Sequence, residues 1–354
     1  MSQEIDLISH KFLKKAKYQK IINEKITQCL TCERRCKISE GTLGHCQTRY
    51  NLNGTIYTIV FGCNAGLSNN PIEKKPLYHF FPGTRALTIG SFGCNFDCFW
   101  CQNYHMSHPG NNILEIMSKY NRFISPKHFI DLALKEGCQG TSISFNEPTL
   151  LFEYSLEVFK LARQNELYNT YVSNGYMTES VLNDLVGAGL DAMNIDIKGE
   201  KDMVQKYCGV NVENVWRNAK LAKELGVHIE ITTLLITKLN TNESTIRYIS
   251  KRIIKELGDD TPFHLSRFFP QFKSYDHGIN NPTPINYLNN AYKIAKNEGL
   301  KFVYLGNMPS NEYDKTICPN CSKIVIERAF FGVKKLDLDI YGNCKYCGFP
   351  ISII

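Results

Sequence analysis

Between residues 86 and 305, short apolar runs alternate with segments whose apolar residues recur at helical spacing, and this alternation leaves few folds open. The runs read as strands over 86–90, 140–145, 168–172, 192–197, 227–236, 263–268 and 302–305. The helices between them carry their own punctuation. Ser125-Pro126 is a cap followed by proline at the first helical position, and Gly137 closes that helix. Apolar residues fall at i, i+3 and i+4 over 150–164, and Thr178 opens a helix over 179–188. Helices over 212–225, 241–257 and 285–297 run out at Gly226, Gly258 and just before Gly299. Six or more successive β-then-α units require a parallel sheet, either doubly wound or rolled into a full or partial barrel. A 43% apolar and 21% charged composition excludes disorder, collagen and coiled coil as the main architecture, and 354 residues suit two domains or one large α/β domain with appendages.

Of 14 cysteines, eleven fall in three tight groups: Cys29, Cys32, Cys36 and Cys46; Cys94, Cys98 and Cys101; and Cys318, Cys321, Cys344 and Cys347. Thiols two or three residues apart read as metal ligands in a reducing compartment. The first twenty residues carry lysines throughout and no apolar core, so a secretory leader is not expected and the cytoplasm is. No apolar run approaches the roughly eighteen residues of a membrane span, so no membrane partner is expected. The net charge of +7 is spread along the chain; it permits an anionic partner and does not demand nucleic acid. Cys63, Cys138 and Cys208 stand alone and read as small buried hydrophobes. Residues 1–26, with Ile5, Ile8 and Phe12 at helical spacing, are expected to form a basic amphipathic helix covering the body.

The middle group lies directly after the first strand of the alternation, at the end of the strand where α/β folds place their ligands. Its count is the informative feature. Thiolates hold a cubane one per iron, so three cysteines leave one iron of a [4Fe–4S] cluster open to a substrate or cofactor. A structural zinc completed by His105 or His108 is the competing use of the same loop.

The C-x3-C-x-aromatic-C spacing of this loop resembles the radical S-adenosylmethionine (SAM) superfamily, more closely the activating enzymes of pyruvate formate-lyase, and in its wider pattern the radical SAM member of the AmmeMemoRadiSam system. The matching segments run in order along nearly the whole chain: CLTCERRCKISEGTLGHCQTR, KPLYHFFPGTRALTIGSFGCNFDCFWCQN, SFNEPTLLFEY, VSNGYMTE, LDAMNIDIKG, HLSRFFP, KFVYLGN, and the terminal CPNC and CKYCG. The resemblance implies a partial (β/α)6 TIM-like barrel of the radical SAM type over 85–307. It is preceded by an N-terminal helix and Cys-rich module over 1–84 and followed by a zinc-ribbon or rubredoxin-like module over 308–354.

It further implies that Cys94, Cys98 and Cys101 ligate a [4Fe–4S] cluster whose fourth iron is chelated by the amine and carboxylate of SAM. Reduction would then yield methionine and a 5′-deoxyadenosyl radical that abstracts hydrogen. Trp100 would flank the adenine, although an aromatic between two ligands serves equally as packing. Asn146-Glu147-Pro148 stands where the family commonly has Gly-Gly-Glu-Pro, which makes Glu147 the acceptor for the SAM ammonium; helix capping is its other use. Ser173-Asn174-Gly175 resembles the Asp-Thr-Asn-Gly segment near SAM, with Val172 at the aspartate position, a departure that leaves any cation site there in doubt. Asp196 and Lys198 resemble the family's Asp-Leu-Lys, whose lysine meets the SAM carboxylate, and they suit a structural ion pair as well. His264 resembles the histidine that reaches SAM and could instead be a satisfied core histidine.

The last group, two C-x2-C pairs 22 residues apart, has the two-knuckle form of a closed structural zinc site, with an electron-transfer iron as the alternative. The first group, C-x2-C-x3-C-x9-C, suits zinc or a second Fe–S cluster, and spacing does not choose between them. The implied partners are a reductant such as ferredoxin or flavodoxin and a protein substrate carrying the glycyl radical. The same chemistry on a small molecule or another protein residue is the second reading. A metal-binding electron carrier or nucleic-acid-binding protein is the third.

Overall fold

The computed structural model describes residues 8–110, 112–309, 312–351 and 353. Its chain divides into two compact units, Met1–Asn69 with Ala86–Asp191, and Asn70–Arg85 with Ala192–Ile354.

The first unit begins with two small antiparallel sheets. In one, β1 (Lys14–Lys15) and β5 (Arg49–Leu52) flank β6 (Thr55–Thr58); in the other, β2 (Gln19–Asn23) and β4 (Lys37–Ser39) flank β3 (Ile26–Cys29). The amphipathic helix expected over 1–26 is therefore not formed by the described part of that segment, and Ile5 lies outside the described residues. Ile8 and Phe12 are buried as expected, but the chain between them and Cys29 is extended. Phe12 packs on Phe123 and Tyr120 at ring-centroid distances of 5.6 and 6.2 Å. The buried apolar cluster around Cys29 amounts to Ala16, Ile38 and Ile56, with Cys36 packed against it. So few side chains cannot hold a module together by burial alone.

After β7 (Gly66–Pro71), the same unit contains β8 (Arg85–Gly90), β9 (Gly140–Ile143) and β10 (Tyr168–Ser173). β9 pairs in parallel with both of the others, Gly140 opposite Ala86 on one side and Tyr168 on the other. Ser125 caps the helix Pro126–Lys135 by accepting from the His128 N–H, and Gly137 follows with φ +65°. Thr178 stands at the head of Glu179–Ala188 as expected, yet its hydroxyl donates to the Leu30 carbonyl and tethers the cysteine module instead of capping.

The second unit carries β11 (Ala192–Asp196), β12 (His228–Leu235), β13 (Phe263–Arg267) and β14 (Val303–Gly306), each parallel to its sequence neighbours. Helices Val212–Glu224, Glu243–Leu257 and Ile285–Asn297 lie within a residue or two of their expected bounds; Asn242, rather than Thr241, caps the second by accepting from Thr245 N–H. A three-stranded antiparallel sheet follows, with β16 (Ile324–Ala329) between β15 (Thr316–Ile317) and β17 (Gly332–Leu336). Its core joins Val325, Ile326, Leu338 and Ile351 to Tyr78, Phe302 and Tyr304.

A polar chain ties this sheet down. Arg328 donates to the Thr316 hydroxyl (2.9 Å), which lies 2.8 Å from the Tyr304 hydroxyl; Tyr304 in turn lies 2.6 Å from His79 Nε2, and His79 Nδ1 meets the Ile351 carbonyl. Ile351 O can only accept, which places a proton on His79 Nδ1; with the Tyr304 hydroxyl donating to Nε2 the imidazole is neutral. Burial lowers the imidazole to about 4, in keeping with that form.

No helix among the described residues is long and apolar enough to cross a membrane. Cys63, Cys138 and Cys208 are buried, as expected of small hydrophobes.

Candidate functional site

The middle cysteine loop leaves β8 at Gly90 and is held by backbone and amide contacts before any thiol is considered. Gly93 N–H donates to the Met106 carbonyl (2.9 Å), Cys101 N–H to the Cys98 carbonyl (3.2 Å), and Asn103 Nδ2 to the Phe145 carbonyl (2.7 Å). Gly93 has φ +86°, and a Cβ there would lie 2.4 Å from the Cys46 carbonyl oxygen, so only glycine fits.

Asn146 supplies the next layer. Its Oδ1 accepts from Ser91 N–H (3.0 Å) while its Nδ2 donates to the carbonyls of Phe92 and Gly93 (3.1 and 3.0 Å). The residue standing where the family has glycine therefore clamps the segment just ahead of Cys94. Phe145 before it sits at φ +77°, and Gly90 leaves room for that turn: a Cβ on Gly90 would meet Ser144 O at 2.5 Å.

Glu147, Ser173 and Asn174 come together as anticipated from the strand ends. Glu147 Oε1 accepts from Thr149 N–H (3.0 Å), Thr149 Oγ1 (2.5 Å) and Ser173 Oγ (2.8 Å), whereas among the described residues Oε2 accepts only from Asn174 N–H (2.9 Å). Glu147 thus caps the turn Pro148–Leu151, the helix-capping use anticipated for it, and Oε2 keeps spare acceptor capacity. Burial raises this carboxyl, against the hydrogen bonds from Thr149, Asn174 and Ser173.

Asn174 Nδ2 donates to Asn95 Oδ1 (2.7 Å) and lies 3.9 Å from Cys94 Sγ, which also accepts from Phe96 N–H (3.4 Å). Cys98 and Cys101 are near enough to push the Cys94 thiol up, after burial and the Glu147 charge. Trp100 is buried and packs edge-on against Phe99, with centroids 4.7 Å apart.

Sequence reasoning missed Asn95 and Thr149 here, and it offered Arg34 only as a charge, with Arg35, that could offset a metal group in the first cysteine module. Arg34 Nε donates to the Asn95 carbonyl and its Nη2 to Asp97 (2.8 Å), while His45 Nε2 lies 2.8 Å from the other Asp97 oxygen. The signal available was the basic pair Arg34-Arg35 between cysteines and the acidic Asp97 inside the C-x3-C.

In the second unit, Lys198 Nζ and Asp196 Oδ2 form an ion pair of 2.9 Å at the end of β11. His264 on β13 is buried, its Nε2 donating to Glu230 Oε2 (2.6 Å) and its ring stacked on Tyr304. Burial would raise Glu230, but hydrogen bonds from His228 and His264 hold it well below the usual carboxylate range.

The C-terminal quartet Cys318, Cys321, Cys344 and Cys347 has all four sulfurs within 4.8 Å of one another, including 3.5 Å for Cys318–Cys347 and 3.7 Å for Cys321–Cys344. A tetrahedral zinc with Zn–S of about 2.3 Å sets its sulfurs about 3.8 Å apart, so this group fits a single ion without rearrangement. Burial pushes Cys318 up to about 12, whereas hydrogen bonds from Asn320 and the Phe349 backbone bring Cys347 down to about 6, supplying one thiolate at neutral pH.

Residues 88–251 match the model of the Radical SAM superfamily. An uncharacterized protein of Methanocaldococcus jannaschii is 40% identical over 339 residues, spanning 95% of this chain and 98% of its own. A second protein of that organism, provisionally named a glycyl-radical enzyme activating enzyme, is 24% identical over 63% of this chain and 79% of its own. A solved domain of a pyruvate-formate lyase-activating enzyme from Bacteroides vulgatus is 18% identical, with a TM-score of 0.40 over 48% of this chain and 99% of that one. With that match over the strand-and-helix core, and a relative alike along almost its full length, the chain belongs to the radical SAM superfamily.

Proposed function

We propose that Cys94, Cys98 and Cys101 hold the [4Fe–4S] cluster that this enzyme family uses with SAM, and that the enzyme abstracts hydrogen from a glycine of a partner protein to leave a glycyl radical. The observation that carries the proposal is the loop itself: three thiols beside an amide N–H directed at Cys94 Sγ and a carboxylate with one unsaturated oxygen. The donor set fits the group. No three of these sulfurs converge to single-ion distances among the described residues, as cubane ligation requires and a zinc site does not. When bound, the cluster, once reduced by an external one-electron donor, would supply one electron to the sulfonium of SAM, giving methionine and a 5′-deoxyadenosyl radical.

The chain's own residues do the positioning. Asn146 fixes the backbone at 91–93 and thereby the direction in which Cys94 leaves the sheet. Asn174 holds Asn95 and offers its amide to the Cys94 sulfur, a bond that favours the thiolate. Glu147 Oε2 is assigned to the SAM ammonium, because Oε1 already has three donors. Trp100, Ser173, Asp196, Lys198 and His264 are assigned to SAM by their motif positions, with Lys198 already oriented by Asp196. A low-potential one-electron donor of the ferredoxin or flavodoxin type and a cytoplasmic location belong to the same proposal. The glycyl-radical product draws on the relative named for that activity.

Anaerobic protein reconstituted with iron and sulfide, then given dithionite and SAM, is expected to release 5′-deoxyadenosine, and Cys98→Ala to release none. Reconstituted cluster without 5′-deoxyadenosine would overturn the proposal. Deuterium transfer into 5′-deoxyadenosine from glycine-labelled protein, as opposed to labelled small molecules, decides the substrate.

A further inference from the structure

Cys29, Cys32, Cys36 and Cys46 line one small cavity, together with Thr31, Arg34, Ile38, Arg49, Asn95 and Leu150. We propose that this cavity holds a second iron–sulfur cluster, ligated by all four cysteines, rather than a single zinc ion.

The two cysteine quartets of this chain provide an internal comparison. At the C-terminus the sulfurs already stand at the spacing of one tetrahedral ion. In the first module no three of the four approach that closely, although all four residues are described and all face the same space. In a cubane the iron–iron separation adds to each metal–sulfur bond, so its four thiolates stand farther apart than those of a lone ion.

The second observation concerns donors. Arg49 is fully buried; its Nη1 and Nη2 are bound at 2.8 Å each to the two oxygens of Glu153, yet its Nε finds no acceptor among the described residues. Asn95, also fully buried, uses its side-chain oxygen on Asn174 and leaves Nδ2 likewise without an acceptor. Two orphan N–H donors at the wall of one cavity are costly unless something there accepts from them. The buried hydroxyls of Thr31 and Thr48 lie 3.5 and 3.3 Å from the sulfurs of Cys29 and Cys46, adding two more groups that face sulfur. A cluster, with inorganic sulfide as well as thiolate sulfur, offers acceptors to all four, and such hydrogen bonds are what tune a cluster's potential.

With four protein ligands no iron is left open, so this cluster suits electron transfer rather than substrate binding. It would be a near neighbour of the Cys94 loop, because Asn95 belongs to that loop and to the cavity wall at once, and because the Cys46 carbonyl faces Gly93.

The test is acid-labile sulfide, which a mononuclear iron or zinc site does not contain. Full-length protein reconstituted anaerobically with iron and sulfide is expected to lose half of it in the variant Cys94→Ala/Cys98→Ala/Cys101→Ala. The other half is expected to go in Cys32→Ser/Cys36→Ser. Retention of all wild-type sulfide by the Cys32/Cys36 variant, or zinc at two equivalents per wild-type chain by elemental analysis, would overturn the proposal. Because the Cys94 triple variant reads this cavity by itself, failure here and failure of the SAM proposal give different sulfide patterns. Mössbauer spectra of iron-57-labelled wild-type protein provide the reading without any substitution: one cluster environment counts against the proposal, two support it.

Discussion

His79 offers a quantitative test of how the last sheet is fastened. In the folded chain its imidazole is lowered to about 4, by burial, and it accepts from Tyr304 while donating to Ile351 O. An unfolded histidine titrates near 6.5. The folded-state value is depressed, so above about pH 6.5 both states are neutral and nothing is lost; as the pH falls, the unfolded chain takes up a proton that the folded chain refuses. At about 1.4 kcal/mol per unit, the difference reaches roughly 2 kcal/mol at pH 5 and levels off near 3.4 kcal/mol below pH 4. Glu230, held low, adds its own loss only below its unfolded value near 4.3, and the other groups that titrate between pH 7 and 5 are common to wild type and a His79 variant, so the difference between the two reads His79. Scanning calorimetry of wild type and His79→Gln at both pH values is the assay. Wild type should lose about 4–8 °C more in melting temperature between pH 7 and 5 than the variant does, at the roughly 2–4 °C per kcal/mol of a unit this size. Proton competition for the Cys318 quartet affects both proteins and cancels in the difference. Equal pH slopes would refute a neutral, buried His79.

Four further outcomes follow from the geometry. Glu153→Gln strands the buried Arg49 charge and should cost about 3–5 kcal/mol in unfolding free energy, whereas Arg49→Met/Glu153→Leu should recover most of it; a single-variant loss below about 1 kcal/mol refutes the bidentate pair. Cys321→Ser should remove one zinc per chain by elemental analysis and lower the melting temperature while leaving acid-labile sulfide unchanged; unchanged zinc content refutes the assignment. Glu147→Gln should weaken SAM binding by about 10- to 100-fold in equilibrium dialysis, the value of a hydrogen bond to a charged group; an unchanged dissociation constant refutes its role. Gly93→Ala should destabilise by more than about 2 kcal/mol in denaturant titration, since an L residue at positive φ costs about 1–2 kcal/mol before any clash is counted. A smaller loss would mean that the Cys46 turn can yield.

The seven parallel strands and their helices were legible because each carries local information: apolar runs of strand length, a Ser-Pro start, glycine stops. Boundaries slipped by a residue or two, as in the helix expected from Thr241, which starts at Glu243 because the Asn242 oxygen reaches Thr245 N–H and caps it. The N-terminal segment misled for a physical reason. Ile8 and Phe12 have helical spacing, but they are buried by tertiary contacts, and β2 beyond them leaves Ile21 69% exposed, so no two-residue alternation announces a strand. At the site, the cysteines, Glu147, Ser173 and Asn174 were legible from motif and strand-end position. Asn95 was not, since its importance lies in a bond to a residue 79 positions away; Arg49 and Glu153 meet across 104. Asn146, at the position of a family glycine, makes a three-bond clamp that the motif comparison could not show.

The missing side chain at position 93 has a consequence for anyone building chimaeras. Because the turn carrying Cys46 occupies the volume where a Cβ would be, the loop of residues 94–101 is not a portable cassette: moved to another scaffold it would meet a wall of different shape, and a foreign loop set here would need the same vacancy. Grafts should therefore exchange residues 29–49 and 90–103 as one piece, or neither.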